Sequence, residues 1–360
     1  MSILFIIFMF LFSFLLTGLI YYLRIMSSSK AHEAILAKQA SHSSPTSRLG
    51  GVAILIPLSI GILIFNDKYA ILIFISAGFI GLGGLLEDIG FEIRPFIRLM
   101  GAITSGFCAI YLTRIWLDDI DLTIMSGVLA YSPIAILFTA FASAGVSNSI
   151  NLIDGLNGLA SGVIILIALG LYLVSTHLGE QELASLCLLT MVSVAGFFIW
   201  NFPKGLVFLG DAGAYTLGHI LVWIAIILTH NHTEISAWAI MCIFFWPIMD
   251  TLLAIIRRVA KKTSFNKPDR MHYHHVIMRS LIILSQGKLD TSFANPMTTS
   301  IIIPLYSGVV FIGVVFIENN PMSILSNCLF VLLFIFLYVL LVFLVRSNNL
   351  QKTIYSVLRK

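Results

Sequence analysis

The chain has 360 residues, 59% of them hydrophobic and only 11% charged, with a mean hydropathy of +1.00. That balance excludes a soluble domain, and the net charge of +4 reflects membrane anchoring and not nucleic-acid binding. The four cysteines have no metal-ligand spacing and all fall in apolar runs, which excludes a cysteine metal centre and a disulfide framework.

Apolar runs recur from end to end, each near the ~20 residues that cross a bilayer core. Lipid offers no partner to backbone groups, so such runs must be helical. In chain order they predict eleven spans: 3–25, 51–66, 69–86, 97–116, 124–146, 160–177, 184–201, 213–229, 236–256, 299–317 and 323–345. The first lacks a basic n-region and a small-residue cleavage site, so it reads as a helix and not a removed signal. The expected fold is an all-α integral membrane protein, one polytopic domain over 1–360. Its longest soluble stretch is a basic loop at 257–298, and there is no internal repeat.

Eleven spans put nineteen of the lysines and arginines on one side and only Lys68 and Arg114 on the other. By the positive-inside rule the loaded side is cytoplasmic, with the N-terminus outside and the C-terminus inside. Nearly every unusual polar residue then falls on that same side.

The first such segment carries Pro45, Thr46, Arg48, Gly50 and Gly51. The second ends the third span with Glu87-Asp88. Two carboxylates at a membrane exit read either as simple solvation or as a metal-proximal acid and a base, since adjacent carboxylates drive their pKa values apart. The third is Asn148-x-x-Asn151-x-x-Asp154-Gly155-Leu156-Asn157-Gly158. Its polar residues repeat every three positions and share one side of a helix, after which Asp-Gly and Asn-Gly read as turn chemistry. Gly158 and Gly162 are assigned to helix packing. In Gly210-Asp211-Ala212-Gly213 the acid is either an N-cap or a magnesium ligand; Asn201 and Phe208 lie just upstream. Asp250, inside the ninth span, is equally a functional acid or a partner of Arg257 or Arg258. The fourth segment, Asp269-Arg270-Met271-His272-Tyr273-His274-His275, suits a transition metal or a diphosphate; the absence of zinc spacing favours the diphosphate. His177, His219, His230 and His232 read as structural.

Taken together and in this order, these motifs resemble the polyprenyl-phosphate N-acetylhexosamine-1-phosphate transferases over residues 42–279. The resemblance implies transfer of a sugar 1-phosphate from a UDP-sugar, with UDP-GlcNAc the best guess, to undecaprenyl phosphate. UMP would be released with Mg²⁺, or Mn²⁺ in its place, in a bacterial inner membrane. It implies Asp211 and Asp154 as metal-binding acids, and Glu87 and Asp88 as the acidic pair, with Asp88 deprotonating or positioning the lipid phosphate for direct attack, or else a covalent phospho-aspartate route. It also implies Asn148, Asn151, Gly155, Leu156, Asn157, Asn201 and Phe208 around the nucleotide, with Arg48, Arg270, His272, His274 and His275 as phosphate contacts. Three departures stand out: Glu87 where many members have Asp, Asn157 where many have Asp, and His-Tyr-His-His in place of three consecutive histidines. The last favours the GlcNAc and O-antigen branch over the phospho-MurNAc-pentapeptide transferase of peptidoglycan synthesis, the alternative within the class. An ion-coupled transporter is the distant alternative, because its polar groups should lie near the midplane on broken helices. The sugar and the oligomeric state stay open, with a homodimer compatible.

Overall fold

The computed structural model describes residues 1–27, 46–262, 269 and 271–347. Pro45 and Arg270 lie outside them. In chain order the helices are α1 (Ile3–Ser27), α2 (Gly50–Phe65), α3 (Lys68–Ser76), α4 (Gly78–Asp88), α5 (Pro95–Thr113), α6 (Thr123–Leu129), α7 (Ser132–Leu152), α8 (Leu159–His177), α9 (Gln181–Asn201), α10 (Gly210–Asn231), α11 (Ala237–Ile243), α12 (Phe245–Ala260), α13 (Tyr273–Leu284), α14 (Thr291–Val315) and α15 (Asn320–Arg346). No named strand is present among the described residues; the one bridge pairs Ser47 with Val207.

Eight of these helices are long and apolar enough to cross a membrane, or up to ten if each of two bent pairs is one span. Together with the shorter apolar helix Gly50–Phe65 they fall on the apolar runs read in the sequence, with differences in length and continuity. The second expected span is α2, only 16 residues long. The third is split into α3 and α4, bent by 48°. The ninth is split into α11 and α12, bent by 86°. Its break has a chemical cause: Pro247 has no N–H to return to the Ile243 carbonyl, and that carbonyl instead accepts the Tyr306 hydroxyl. The fifth span also begins late, because the chain breaks at Ala130-Tyr131 and Pro133 opens α7. Nor is 257–298 all loop. It holds α13, and α14 already starts at Thr291, where the Asp290 carboxylate accepts the Phe293 N–H at 3.1 Å.

The organising element is α10. Its most apolar 18-residue window is 94% buried, and α2, α4, α7 and α8 pack around it. Its buried residues run from Gly210 to Leu228 without a break, so every face of the helix is covered by protein. Its N-terminus, with Asp211, is therefore held in place by several neighbours at once.

Candidate active site

A helix start leaves four N–H groups without intrahelical partners. At α10 Leu209 supplies no side-chain cap. Asp88, the last residue of α4, supplies it from a different helix. Its Oδ1 accepts the Asp211 N–H and its Oδ2 the Ala212 N–H, both at 2.9 Å. A carboxylate is unfavourable at the C-terminus of its own helix, and here the positive N-terminal end of α10 offsets this. Asp88 is thus committed to joining α4 to α10, whereas Asp211 points onward from the first turn.

Two close approaches make that junction tight. A Cβ on Gly84 would lie 2.6 Å from the Ala212 nitrogen, and one on Gly51 2.4 Å from the Gly213 nitrogen. The segment after Thr46 runs beside the strand-like entry to α10. Phe208 N–H donates to the Ser47 carbonyl at 2.8 Å, Gly50 N–H to the Phe208 carbonyl at 3.0 Å and Gly51 N–H to the Leu209 carbonyl at 2.7 Å. Through these bonds the motifs of the first loop, the acidic pair and Gly-Asp-x-Gly meet at one point.

The charged groups collect there. Arg98 of α5 bridges Glu87 at 2.9 Å and Asp211 at 3.3 Å through one nitrogen. The other Glu87 oxygen, Oε2, is buried and has no protein partner. Asp154, in the turn after α7, lies near the Gly210 N–H and feels the charges of Asp211 and Asp88. Burial first, and the Asp211 charge second, push its carboxyl up to about 7, against the opposing pull of Arg48 and the Gly210 N–H. The Arg48 side chain is exposed.

The amides divide by role. Asn148 and Asn151 lie on the last turns of α7, one side of one helix, with the Tyr215 hydroxyl between them and 3.2 Å from Asn148 Oδ1. Asn201 is buried and fully engaged. It accepts the Gly158 N–H at 2.8 Å and the Ser161 hydroxyl at 3.0 Å, and donates to the Val207 carbonyl at 2.9 Å. Asn157 is tied to Asn295, Pro203 and Thr299, each at 2.8 Å. Leu156 is a core side chain at 2% exposure. Asn201, Asn157 and Leu156 thus brace the turn from behind, and Asn157 Oδ1 is buried without a protein partner.

Across this turn lies α13. A Cβ on Gly155 would stand 3.2 Å from His274 Nε2 and 3.3 Å from His275 Cε1. His274 is 0% exposed, its Nδ1 is 2.9 Å from Asp250 Oδ2, and its Nε2 has no protein partner. The Tyr273 N–H donates to Asp250 Oδ1 at 2.7 Å. His272, stacked on His274, brings Nδ1 to 3.4 Å from Asp250 Oδ2. His275 is held down at about 3 by burial and then by the neighbouring His274 and His272, so its ring is neutral at pH 7. Asp250 thus pairs with the histidines. Arg257 turns instead to Asp269 and the Tyr338 hydroxyl, and Arg258 lies 3.6 Å from Asp269.

Two donor sets invite a cation. Asp154, Asp211 and the buried Glu87 Oε2 are hard oxygen donors of the kind a small dication such as Mg²⁺ prefers, though they do not form so tight a cluster as the second set. Asp250, His272 and His274 bring an oxygen and two nitrogens within 4.8 Å of one another, a set better suited to a transition metal. Arg98 and Tyr215 escaped the sequence reading: one looked like an anchoring charge, the other like a span aromatic.

Residues 69–229 match the family described as Glycosyl transferase family 4. The chain is 29% identical over 259 residues to a probable undecaprenyl-phosphate N-acetylglucosaminyl 1-phosphate transferase of Bacillus subtilis, covering 70% of this chain and 68% of the relative. It is 27% identical over 260 residues to the undecaprenyl-phosphate alpha-N-acetylglucosaminyl 1-phosphate transferase of Escherichia coli K12, covering 70% and 71%. A phospho-N-acetylmuramoyl-pentapeptide-transferase of Staphylococcus carnosus is 28% identical over 248 residues, covering 64% and 76%. The resemblance carried by the motifs is thereby matched by whole stretches of sequence.

Proposed function

We propose that this chain, a glycosyl transferase family 4 sequence over residues 69–229, transfers an N-acetylhexosamine 1-phosphate, GlcNAc-1-phosphate first among the candidates, from a UDP-sugar to undecaprenyl phosphate. Its place would be the bacterial inner membrane, with the site on the cytoplasmic face, and its product would start a lipid-linked glycan of the O-antigen kind. The observation that carries this reading is the meeting of Glu87, Asp88, Asp154 and Asp211 with Arg98 at the start of α10, opposite His274. Transferases named for undecaprenyl phosphate are among the relatives.

In this reaction an oxygen of the lipid phosphate forms a bond to the β-phosphorus of the UDP-sugar. The bond from that phosphorus to the bridging oxygen breaks, and UMP leaves with the electron pair. A phosphate monoester loses its second proton near pH 6, so the lipid phosphate is its own nucleophile at neutral pH. Direct attack is accordingly preferred to a phospho-aspartate intermediate. What the protein supplies is alignment and charge neutralisation between anions. Asp88 holds α10 in register. Asp211, Asp154 and Glu87 would hold Mg²⁺, which when bound neutralises the diphosphate and polarises its phosphoryl oxygens. Arg98 keeps Glu87 and Asp211 apart in charge. Asn148, Asn151 and Tyr215 form a polar wall for the nucleotide, and Arg48 and the α13 histidines face the phosphates.

The test is UMP release by purified protein in detergent with undecaprenyl phosphate, Mg²⁺ and a panel of UDP-sugars, with Asp211→Asn alongside. Release that needs lipid and metal and disappears in the variant is the expected result. No release with any UDP-sugar from folded protein would end the transferase reading. The Staphylococcus carnosus relative keeps UDP-MurNAc-pentapeptide on the panel.

A further inference from the structure

Asp250 has no role in the chemistry above, yet it is 1% exposed in the bundle with neither arginine of its own helix as partner. An ionised carboxylate is held in such a place only when its oxygens are hydrogen-bonded or paired. Here the pairing is entirely with the start of α13: Tyr273 N–H at 2.7 Å, His274 Nδ1 at 2.9 Å and His272 Nδ1 at 3.4 Å. The bond to His274 fixes its ring and places a proton on Nδ1, because a carboxylate oxygen can only accept. Nε2 is then the nitrogen left without a partner, buried against Gly155, next to Asp154. Gly155 has no side chain to fill the space in front of it. His274 Nε2 is thus a buried polar atom without a protein partner, aimed at the turn that carries one of the proposed cation-binding acids.

We infer that Asp250 is a positioning residue for the transfer reaction: it locks His274 with Nε2 turned to the Asp154-Gly155 turn, where a phosphate oxygen of the sugar nucleotide binds. The inference rests on the proposed function and assigns the residue that aims the histidine. One hydrogen bond reaches each of Asp250 Oδ1 and Oδ2, and this ordering role needs no metal between Asp250, His272 and His274.

A double-mutant cycle tests it, with wild type, Asp250→Asn, His274→Gln and the double variant, each read by kcat, KM and UDP affinity in calorimetry with Mg²⁺. Removing an orienting partner commonly costs on the order of 10–100-fold in activity. Asp250→Asn is expected to lose that much in kcat/KM and to weaken UDP binding in parallel. Once His274 is Gln, Asp250→Asn should cost no more than about 2-fold further, because interacting residues fail to add. Asp250→Glu should recover part of the loss. Should Asp250→Asn not fold, the Asp250→Glu and His274→Gln cycle reports the same coupling. Losses that multiply in the double variant would overturn the inference, since Asp250 would then act independently of His274. So would one equivalent of zinc per chain in the purified protein that disappears in Asp250→Asn. If wild type releases no UMP with any UDP-sugar, the proposed function fails, while the UDP-affinity cycle still decides whether Asp250 acts through His274.

Discussion

Gly83 and Gly84 are adjacent on α4, and the structure predicts opposite outcomes for giving each a methyl group. At Gly83 a Cβ meets nothing within 4 Å. At Gly84 it would lie 2.6 Å from the Ala212 nitrogen and from the Asp211 carbonyl carbon, and 2.8 Å from the Ala212 Cα. All three are backbone atoms, so no rotamer change relieves the clash. An ordinary contact begins near 3.4 Å, so α4 and the start of α10 must part by about 0.8 Å. Overpacking of this kind costs about 1–3 kcal/mol. The separation also stretches both Asp88 hydrogen bonds and moves Asp211, and a displacement approaching 1 Å at a reacting group costs on the order of 100-fold in rate. Gly84→Ala is therefore expected to lower the melting temperature in detergent and to reduce UMP release by about two orders of magnitude. Gly83→Ala should keep full activity and gain up to about 1 kcal/mol from helix propensity. Melting curves and initial rates measured side by side give the comparison. Equal activity in the two variants would refute the claim that the α4–α10 junction positions the site.

Asp88→Asn sets an amide NH₂ against one of the two backbone N–H groups that the carboxylate now accepts, and should destabilise the protein by about 1–3 kcal/mol as well as slow it. An unchanged melting temperature would mean that Asp88 does not hold α10. Arg98→Gln removes positive charge beside Glu87 and Asp211 and should lower kcat while also lowering the Mg²⁺ concentration at half-maximal rate; a raised Mg²⁺ requirement would contradict the placement of the cation among these acids. On the opposite end of the bundle, burial lowers the His232 pKa, but hydrogen bonds to Glu234 and Glu180 outweigh it and leave the value raised. Its contribution to stability is present below the unfolded value of about 6.5 and lost as the pH rises through the higher folded value. Screening keeps the effect small. The melting temperature should fall across that window in wild type and not in His232→Gln, and parallel pH curves for the two would exclude the pairing.

Much of the site could be read from the chain because its acids sit where apolar runs stop. Asp88, Asp154 and Asp211 each mark the exit or entry of a helix, and a carboxylate there is conspicuous against lipid. The triplet spacing of Asn148 and Asn151 was also legible, since α7 extends far enough to keep both on one helical side. Arg98 was not: in sequence it is one more anchoring charge, and its contacts lie 11 and 113 residues away. Asp250 misled for a related reason, because Arg257 and Arg258 are nearer along the helix than His274, yet the 86° turn before α12 and the return of α13 bring the histidines to it. Asn201 and Asn157 were legible as polar residues of this neighbourhood, but only the fold reveals that backbone groups occupy the Asn201 amide while Asn157 Oδ1 is buried without a protein partner. The break at Ala77 was hidden within an unbroken apolar run, and hydropathy does not record a bend.

The neighbours of α10 bear on how the protein is made. Its principal partners, α2, α3, α4, α7, α8 and α9, all precede it in the chain, so each has been synthesised before α10 leaves the ribosome. The acidic half of the site can therefore close around Asp211 during translation. The histidine half waits for α13, whose principal contacts are with α14 and α15. Assembly is thus staged, with the anion-facing arm delivered last onto a finished socket. A ribosome stalled within α14 would expose a chain with its acids in place and no histidine helix docked over them.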